Sequence, residues 1–454
     1  MAASRKIRTA YFCSQCGAEH AKWQGQCREC GQWNCLIEEQ VDPGKAKASS
    51  VFTGDKRRLP EIDGQNFHGY RSGINEFDRV VGGQLLPGMA VLLGGEPGIG
   101  KSTLILQLAE AYSRQNLPVL YVTGEESLPQ IKIRAARLGV GGDNITVINS
   151  TSLEEIADAA AGDPFRVVLV DSIQTVASAQ FDSPPGTVAQ VRETAARLIS
   201  LAKSKSFALF LVGHITKDGM VAGPKVLEHM VDTVIYFEGD SSHLYRMLRP
   251  TKNRFGSVAE IGLFEMLPQG LVEVTSPSSL FLSEQSSEVR TGSVVAGICE
   301  GNRPILVEVQ ALVTAANYGN PQRVAGGIDN KRLALLLAIL EKRCGHPMGT
   351  NDVFVSVAGG LRLSEPALDL PLLVAIASSL TNRAVPKGTL VVGEVGLSGE
   401  VRGITMIDRR IQEAAKMGFT TMVLPQANLS QVQNPPLELT AVTDIQSALE
   451  SILG

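Results

Sequence analysis

The chain contains no apolar run approaching the roughly 20 residues of a membrane-spanning helix, so no membrane-embedded helix is expected. It also lacks an excess of one charge. Its 42 Lys and Arg stand against 46 Asp and Glu, a formal net charge of −4, so any surface for nucleic acid has to be local. Aromatic residues are scarce at 5%, which leaves few platforms on which bases can stack. The stretch from Met1 to Ala10 is basic but has no apolar core, so it does not read as a secretory signal. A disulfide framework is not indicated either. Of seven cysteines, four form two close pairs near the N-terminus, a pattern of metal binding in a reducing compartment. A cytoplasmic protein is therefore expected. With 44% hydrophobic and 19% charged residues over 454 positions, the chain is long enough for two or three globular domains.

One segment carries chemistry plainly. Gly95-Glu96-Pro97-Gly98-Ile99-Gly100-Lys101-Ser102 fits the phosphate-binding loop Gly-x4-Gly-Lys-Ser/Thr. An apolar strand, Met89 to Leu93, precedes it, and a helix beginning near Thr103 follows, with its N-terminus toward the anion. Glycines let successive backbone N–H groups point at phosphate oxygens. Lys101 adds a point charge for the β- and γ-phosphates, and the Ser102 hydroxyl suits Mg²⁺. Gly95 to Thr103 are thus the candidate ATP-binding residues, with Mg²⁺ as cofactor.

A second nucleotide signature follows about 70 residues on. Arg166 to Ser172 reads as a buried strand ending in Asp171, a carboxylate placed to hold Mg²⁺ through water. Tyr121 to Ser127 is another strand ending in acid. Glu125, favoured over Glu126, is the candidate to orient and deprotonate the attacking water. The plainer alternative is an acid-rich helix start. His214 closes a further strand and is a candidate reporter of nucleotide state, or simply a structural histidine. From 61 to 280 strands and helices alternate, which predicts an α/β domain with a mostly parallel sheet. The predicted strands are Ala90–Gly94, Val119–Thr123, Ile145–Ile148, Val167–Asp171, Ala208–Gly213 and Thr233–Phe237. Leucine- and alanine-rich segments such as Thr103–Arg114, Gln130–Leu138 and Gln190–Ser204 fit the intervening helices.

At the N-terminus, Cys13-x-x-Cys16 and Cys27-x-x-Cys30 supply four thiolates for a tetrahedral, structural Zn²⁺ site within a finger spanning 1–37. So short a segment cannot build a sufficient core without the metal. Cys35, a fifth thiol nearby, reads as a small buried apolar residue rather than as a metal ligand. Trp23, Trp33, Lys22 and Arg28 decorate the finger, with Trp33 as readily core as surface. Residues 38–60, with Pro43-Gly44-Lys45 and Lys56-Arg57-Arg58, read as a flexible tether.

The run Ser72-Gly73-Ile74-Asn75-Glu76-Phe77-Asp78, with Gly82-Gly83, Pro87-Gly88 and the phosphate loop, resembles RecA-type ATPases. Together with the four-cysteine finger and Thr251-Lys252-Asn253-Arg254-Phe255-Gly256, the whole chain closely resembles the bacterial RadA family, also called Sms. That resemblance implies a RecA-like P-loop core between a zinc finger and a C-terminal Lon-protease-like domain. It implies a DNA-dependent ATPase of recombination and repair, forming a hexameric ring that translocates on single-stranded DNA. The motor would drive branch migration of intermediates made by RecA, with the zinc finger contacting RecA. It also implies that Lys252 and Arg254 reach the γ-phosphate of a neighbouring subunit, where a cation supplied in trans stabilises developing charge. A basic turn at the surface is the plainer alternative.

DNA is expected in loops lining the ring centre. Gln180 to Arg192 and Thr216 to Lys225, rich in glycine, proline and small polar residues, have the right placement. Arg192, Lys217 and Lys225 are the candidate phosphate contacts, with Phe181 the sole stacking candidate.

Residues 285–454 read as an α+β unit similar to the Lon protease domain, including Gly393 to Val401. Lon-type proteolysis needs a serine activated by a lysine. Alignment by motif puts Ala367 at the serine position and Asp408 at the lysine position, so the domain is expected to be proteolytically inactive. Lys331, Arg332, Arg323 and Arg362 are candidates for a basic surface. An ATP-dependent protease and a slow nucleotide switch similar to clock ATPases are the competing readings.

Overall fold

The computed structural model describes residues 8–13, 18–41, 58–61, 68–181, 183–214, 224–239, 245–282, 290–316, 321–358 and 363–454. The chain divides into two compact units, the first ending at Glu273 and the second beginning, in its described part, at Val274.

The first unit opens with a three-stranded antiparallel sheet. Its strands are β1 (Arg8–Cys13), β2 (Glu19–His20) and β3 (Leu36–Val41), in the order β2-β1-β3. β3 pairs along all of β1, from Cys13 opposite Leu36 to Arg8 opposite Val41. It therefore runs into the stretch expected to be tether.

The rest of the unit is a nine-stranded sheet in the order β12-β11-β10-β9-β4-β8-β7-β5-β6. The parallel part comprises β4 (Ala90–Gly95), β5 (Val119–Thr123), β6 (Ile145–Asn149), β7 (Val167–Asp171), β8 (Ala208–His214) and β9 (Thr233–Gly239). Helices α1 (Asn75–Val81), α2 (Lys101–Ser113), α3 (Leu128–Arg137), α4 (Leu153–Gly162) and α5 (Val188–Lys205) accompany it. An antiparallel extension, β10 (Tyr245–Asn253), β11 (Gly262–Leu267) and β12 (Gly270–Glu273), continues the sheet beyond β9.

The central strands read as unbroken apolar runs because both faces are covered. Successive residues feed two separate cores. Leu92, Leu120, Val122, Val168 and Val170 pack with α4 and α5. Val91, Leu93, Val119, Tyr121 and Leu169 pack with Phe77, Leu104, Leu108 and Ile131 of the other helices. Ala10 and Phe12 of β1 join the first of these cores, so the N-terminal sheet leans on α5.

The second unit carries a seven-stranded mixed sheet in the order β15-β16-β14-β13-β17-β20-β21. It starts with α6 (Pro277–Phe281), followed by β13 (Ser293–Glu300), β14 (Arg303–Ala315), β15 (Arg323–Gly326), α7 (Asn330–Cys344), β16 (Asn351–Val357) and α8 (Asp369–Thr381). Then come β17 (Thr389–Val391), the small hairpin β18 (Glu394–Val395) and β19 (Val401–Arg402), and α9 (Ile407–Lys416). β20 (Thr421–Pro425), α10 (Gln426–Leu429), β21 (Glu438–Val442) and α11 (Ile445–Leu453) complete it. α6 belongs here because the Ser278 hydroxyl, bonded to Glu413 at 2.5 Å, accepts Leu306 N–H at 3.1 Å. Among the described residues no helix is long and apolar enough to cross a membrane.

Candidate active site

Strand register assembles the site at the C-terminal edge of the first unit's parallel sheet. Gly95 at the end of β4 is level with His214 on β8, and Thr123 on β5 is level with Asp171 on β7. Four strand ends, in the order β4-β8-β7-β5, thus present the phosphate loop, His214, Asp171 and Glu125 side by side. This is the edge where open α/β sheets bind ligands.

The loop runs from Gly95 through Glu96, Pro97, Gly98 and Ile99 to Gly100, which caps α2 with φ +115°, a conformation closed to ordinary side chains. Lys101, Ser102 and Thr103 form the first turn of α2. Lys101 Nζ donates to the carbonyls of Gly95 and Glu96, each at 2.8 Å. Burial pushes its pKa down to about 8, against the opposing pull of Asp171 and Glu125. Arg246 of β10, which sequence patterning did not single out, is buried and donates to Ile99 O at 2.8 Å. It braces the loop from the side.

Asp171 is raised in pKa, first by burial and also by the Glu125 charge, while the Ser102 and Tyr121 hydroxyls oppose the shift. One of its oxygens, Oδ2, accepts from Tyr121 Oη at 3.2 Å, and the other, Oδ1, is buried without a well-formed hydrogen bond. A buried, unsatisfied carboxylate oxygen beside a serine hydroxyl fits a hydrated Mg²⁺. Glu125 Oε1 accepts from Ser172 Oγ at 2.7 Å and lies 3.3 Å from His214 Nε2. Gln174 in turn donates to His214 O at 3.2 Å. Ser172 therefore holds Glu125 by a hydrogen bond, His214 faces it, and Gln174 fixes the backbone of His214. Glu126 instead pairs with Arg134 and lends its carbonyl to Asn149 and Thr123.

Lys252 and Arg254 are not brought to this loop within one chain. Lys252 is level with Val234 near the start of β9, whereas the loop leaves β4 level with Phe237 at Gly95. Three strand residues separate them, roughly 10 Å along the sheet. Lys252 Nζ donates to Glu228 O at 2.8 Å. Arg254, exposed, stands 3.6 Å from Asp232. The turn is fixed by Asn253, which donates to Val80 O at 3.1 Å and accepts Phe255 N–H at 3.0 Å.

Of the candidate DNA contacts, Lys217 lies outside the described residues. Arg192 is exposed on α5 rather than in a loop, because the helix starts at Val188. The segment before it is anchored: Gln190 accepts Ser178 N–H at 3.0 Å and donates to Ser183 O at 2.8 Å. Phe181 is half-buried there, and Lys225 is exposed in a short 3-10 turn, Pro224–Val226. The two segments follow β7 and β8, neighbouring strands on the edge that bears the phosphate loop.

At the N-terminal finger, the sulfurs of Cys13, Cys30 and Cys35 lie within 4.8 Å of one another. Three close thiols fit Zn²⁺. Cys27 Sγ is 3.4 Å from His20 Nε2, and Cys16 is outside the described residues. Cys35 is buried, as the sequence predicted, but its sulfur is also part of this cluster. Trp23 and Trp33 are both exposed, so neither is core.

In the second unit Ala367 is buried in an apolar cluster with Ile407 and Ile411, and Asp408 lies in the first turn of α9. Arg410, fully buried, donates to Gly297 O at 2.6 Å and pairs with Glu365. Arg332, expected in a basic surface, instead pairs with the buried Asp369. Arg362 lies outside the described residues.

Comparison with known proteins agrees with this architecture. Residues 56–220 match the AAA domain family, residues 11–38 the rubredoxin metal binding domain, and residues 330–428 subunit ChlI of Mg-chelatase. DNA repair protein RadA of Halalkalibacterium halodurans is 46% identical, with 99% of each chain covered. The chain belongs to the RadA family. RadA of Bacillus subtilis is 44% identical over 99% of each chain, and RadA of Pseudomonas aeruginosa 47% identical over 98% of this chain and 99% of its own. The crystal structure of a KaiC-like protein from Pyrococcus horikoshii covers 46% of the chain at 20% identity and a TM-score of 0.39, a likeness too loose to bear on function. The fold is that of a RadA-family P-loop ATPase, with a zinc ribbon before the core and a Lon-like α+β domain after it.

Proposed function

We propose that this RadA-family ATPase is a DNA-stimulated motor of homologous recombination, working as a homo-hexameric ring in the cytoplasm. It translocates on single-stranded DNA and promotes branch migration of intermediates made by RecA, which it meets through the zinc ribbon. The observation that carries this reading is the separation of Lys252 and Arg254 from the phosphate loop of their own chain. Cations at that end of the sheet are out of reach of their own loop and suit a neighbour's site in a head-to-tail ring.

In this reading the backbone from Gly95 to Thr103 and Lys101 hold the ATP phosphates, and Ser102 and Asp171 hold Mg²⁺. Mg²⁺ held by Ser102 and Asp171 would supply positive charge beside the phosphates. Glu125, held by Ser172 and faced by His214, takes the proton of the attacking water. Lys252 and Arg254 of the adjacent protomer stabilise the charge that develops on the transferred phosphoryl group. Arg192, Lys217 and Lys225 neutralise DNA phosphates; in the sequence, Arg192 follows β7, and Lys217 and Lys225 follow β8, the strands that carry Asp171 and His214. The Lon-like domain is a scaffold without proteolytic activity: Ala367 has no nucleophile, and its surroundings are apolar.

Mixing two inactive variants tests the split site. Lys101→Ala keeps its cations and loses its loop, and Arg254→Ala does the reverse. Rings of an equal mixture should regain about a quarter of wild-type hydrolysis, because half the sites have a working loop and half of those a working neighbour. No recovery in co-assembled rings would contradict the trans assignment.

A further inference from the structure

We infer that Tyr236 and Glu228 are positioning residues for Lys252, fixing the cation that one protomer offers to its neighbour's nucleotide. This role presupposes the trans site proposed above.

Both cations at the end of β10 are tied to one short segment, Glu228 to Asp232, which leads into β9. Lys252 Nζ donates to the carbonyls of Glu228 at 2.8 Å and His229 at 3.4 Å. Arg254 donates its backbone N–H to Asp232 O at 3.2 Å, and its guanidinium stands 3.6 Å from the Asp232 carboxylate. Asp232 is fixed in turn by β4. Its Oδ2 accepts Ala90 N–H at 3.0 Å, and its own N–H donates to Ala90 O at 2.9 Å. The partners of Lys252 are placed differently, because Glu228 and His229 lie in a turn outside the sheet.

Two kinds of anchor hold that turn. Leu227 and Val231, on either side, are buried in the core that contains residues of α4 and α5. Glu228 Oε1 accepts from Tyr236 Oη at 2.6 Å. Tyr236 lies on β9 two residues after Val234, the register partner of Lys252. Alternate residues of a strand share a face, and so do cross-strand partners, which puts Tyr236 and Lys252 on one side of the sheet. Glu228 thus receives the tyrosine on its side chain and the lysine on its carbonyl. A hydroxyl bonded to a carboxylate is short and stronger than a neutral pair. The Tyr236 ring packs against the same core, so it ties the turn to the sheet. An ammonium has three protons, and Lys252 can keep its bond to Glu228 O while offering another to a phosphate.

The test measures ATP hydrolysis by the full-length protein. Tyr236→Phe keeps the ring and removes only the hydroxyl. It should lower kcat about tenfold with ATP affinity unchanged, the effect of a misplacement smaller than an ångström. Glu228→Ala should do the same, whereas Glu228→Gln, which keeps an acceptor for the hydroxyl, should retain most of the rate. Mixing then locates the defect. In an equal mixture of Tyr236→Phe with Lys101→Ala, about a quarter of the sites combine a working loop with an intact neighbouring Lys252, so hydrolysis should rise to about a quarter of wild type. A defect in the protomer's own site would leave about a twentieth, since half the loops work and each is tenfold slow. Wild-type kcat in Tyr236→Phe would overturn the proposal. So would a mixture at a twentieth while Arg254→Ala recovers with the same Lys101→Ala partner. Recovery in neither mixture would instead remove the trans site, and the positioning role with it.

Discussion

Lys101 is required as a cation in surroundings that discourage one. Burial lowers its pKa to about 8, and the charges of Asp171 and Glu125 only partly oppose this. Below pH 8 the free site holds an ammonium ready for phosphate. Above it the lysine is increasingly neutral, and nucleotide binding must take up a proton. Bound phosphate favours the charged form, so the pKa rises in the complex. ATP affinity should therefore be flat below about pH 8 and fall toward tenfold per pH unit above it. Calorimetry in buffers of different ionisation heat should show matching proton uptake. Glu125 makes a second prediction. As the proposed base for the attacking water, Glu125 acts on hydrolysis rather than binding, so Glu125→Gln should lower kcat by about 10³-fold with ATP affinity nearly unchanged. A large loss of affinity in that variant would assign Glu125 to binding instead.

At the scale of elements, the turn after β10 depends on one close approach. A Cβ on Gly256 would stand 2.6 Å from the Cα of Gly82 and 2.8 Å from Asn253 Nδ2. Gly256→Ala must move the turn that carries Lys252 and Arg254. It should cost hydrolysis about 10²-fold, the effect of an ångström-scale misplacement, and leave ATP binding intact. Comparing kcat with nucleotide affinity checks this.

The parallel strands were legible because strands buried on both faces read as continuous apolar runs. Val119–Thr123 and Val167–Asp171 are found with the bounds the sequence predicted. Helix α4 was not, since Ala159-Ala160-Ala161-Gly162 gives a weak pattern without its packing partners. The antiparallel extension β10–β12 was missed because alternation in Tyr245–Asn253 is broken by Pro250 at a bulge. The site was legible where a motif demands a backbone shape, as at Gly95 to Ser102. It was not legible where a role arises from register. Ser172 and Arg246 are ordinary residue types whose partners, Glu125 and Ile99, are set by strand pairing.

At the scale of the whole molecule, the candidate nucleotide site lies at one edge of the parallel sheet, and the segments proposed to contact DNA follow strands β7 and β8 in the chain. In the proposed motor, DNA bound there acts on the strands that carry Asp171 and His214. The overall charge of −4 does not attract DNA, so the contact must be local and sensitive to salt. The most direct test is ATP hydrolysis with and without single-stranded DNA across a salt series. Stimulation by DNA that fades as salt rises and is absent in Lys101→Ala is expected. Hydrolysis indifferent to DNA at every salt concentration would contradict the proposed motor.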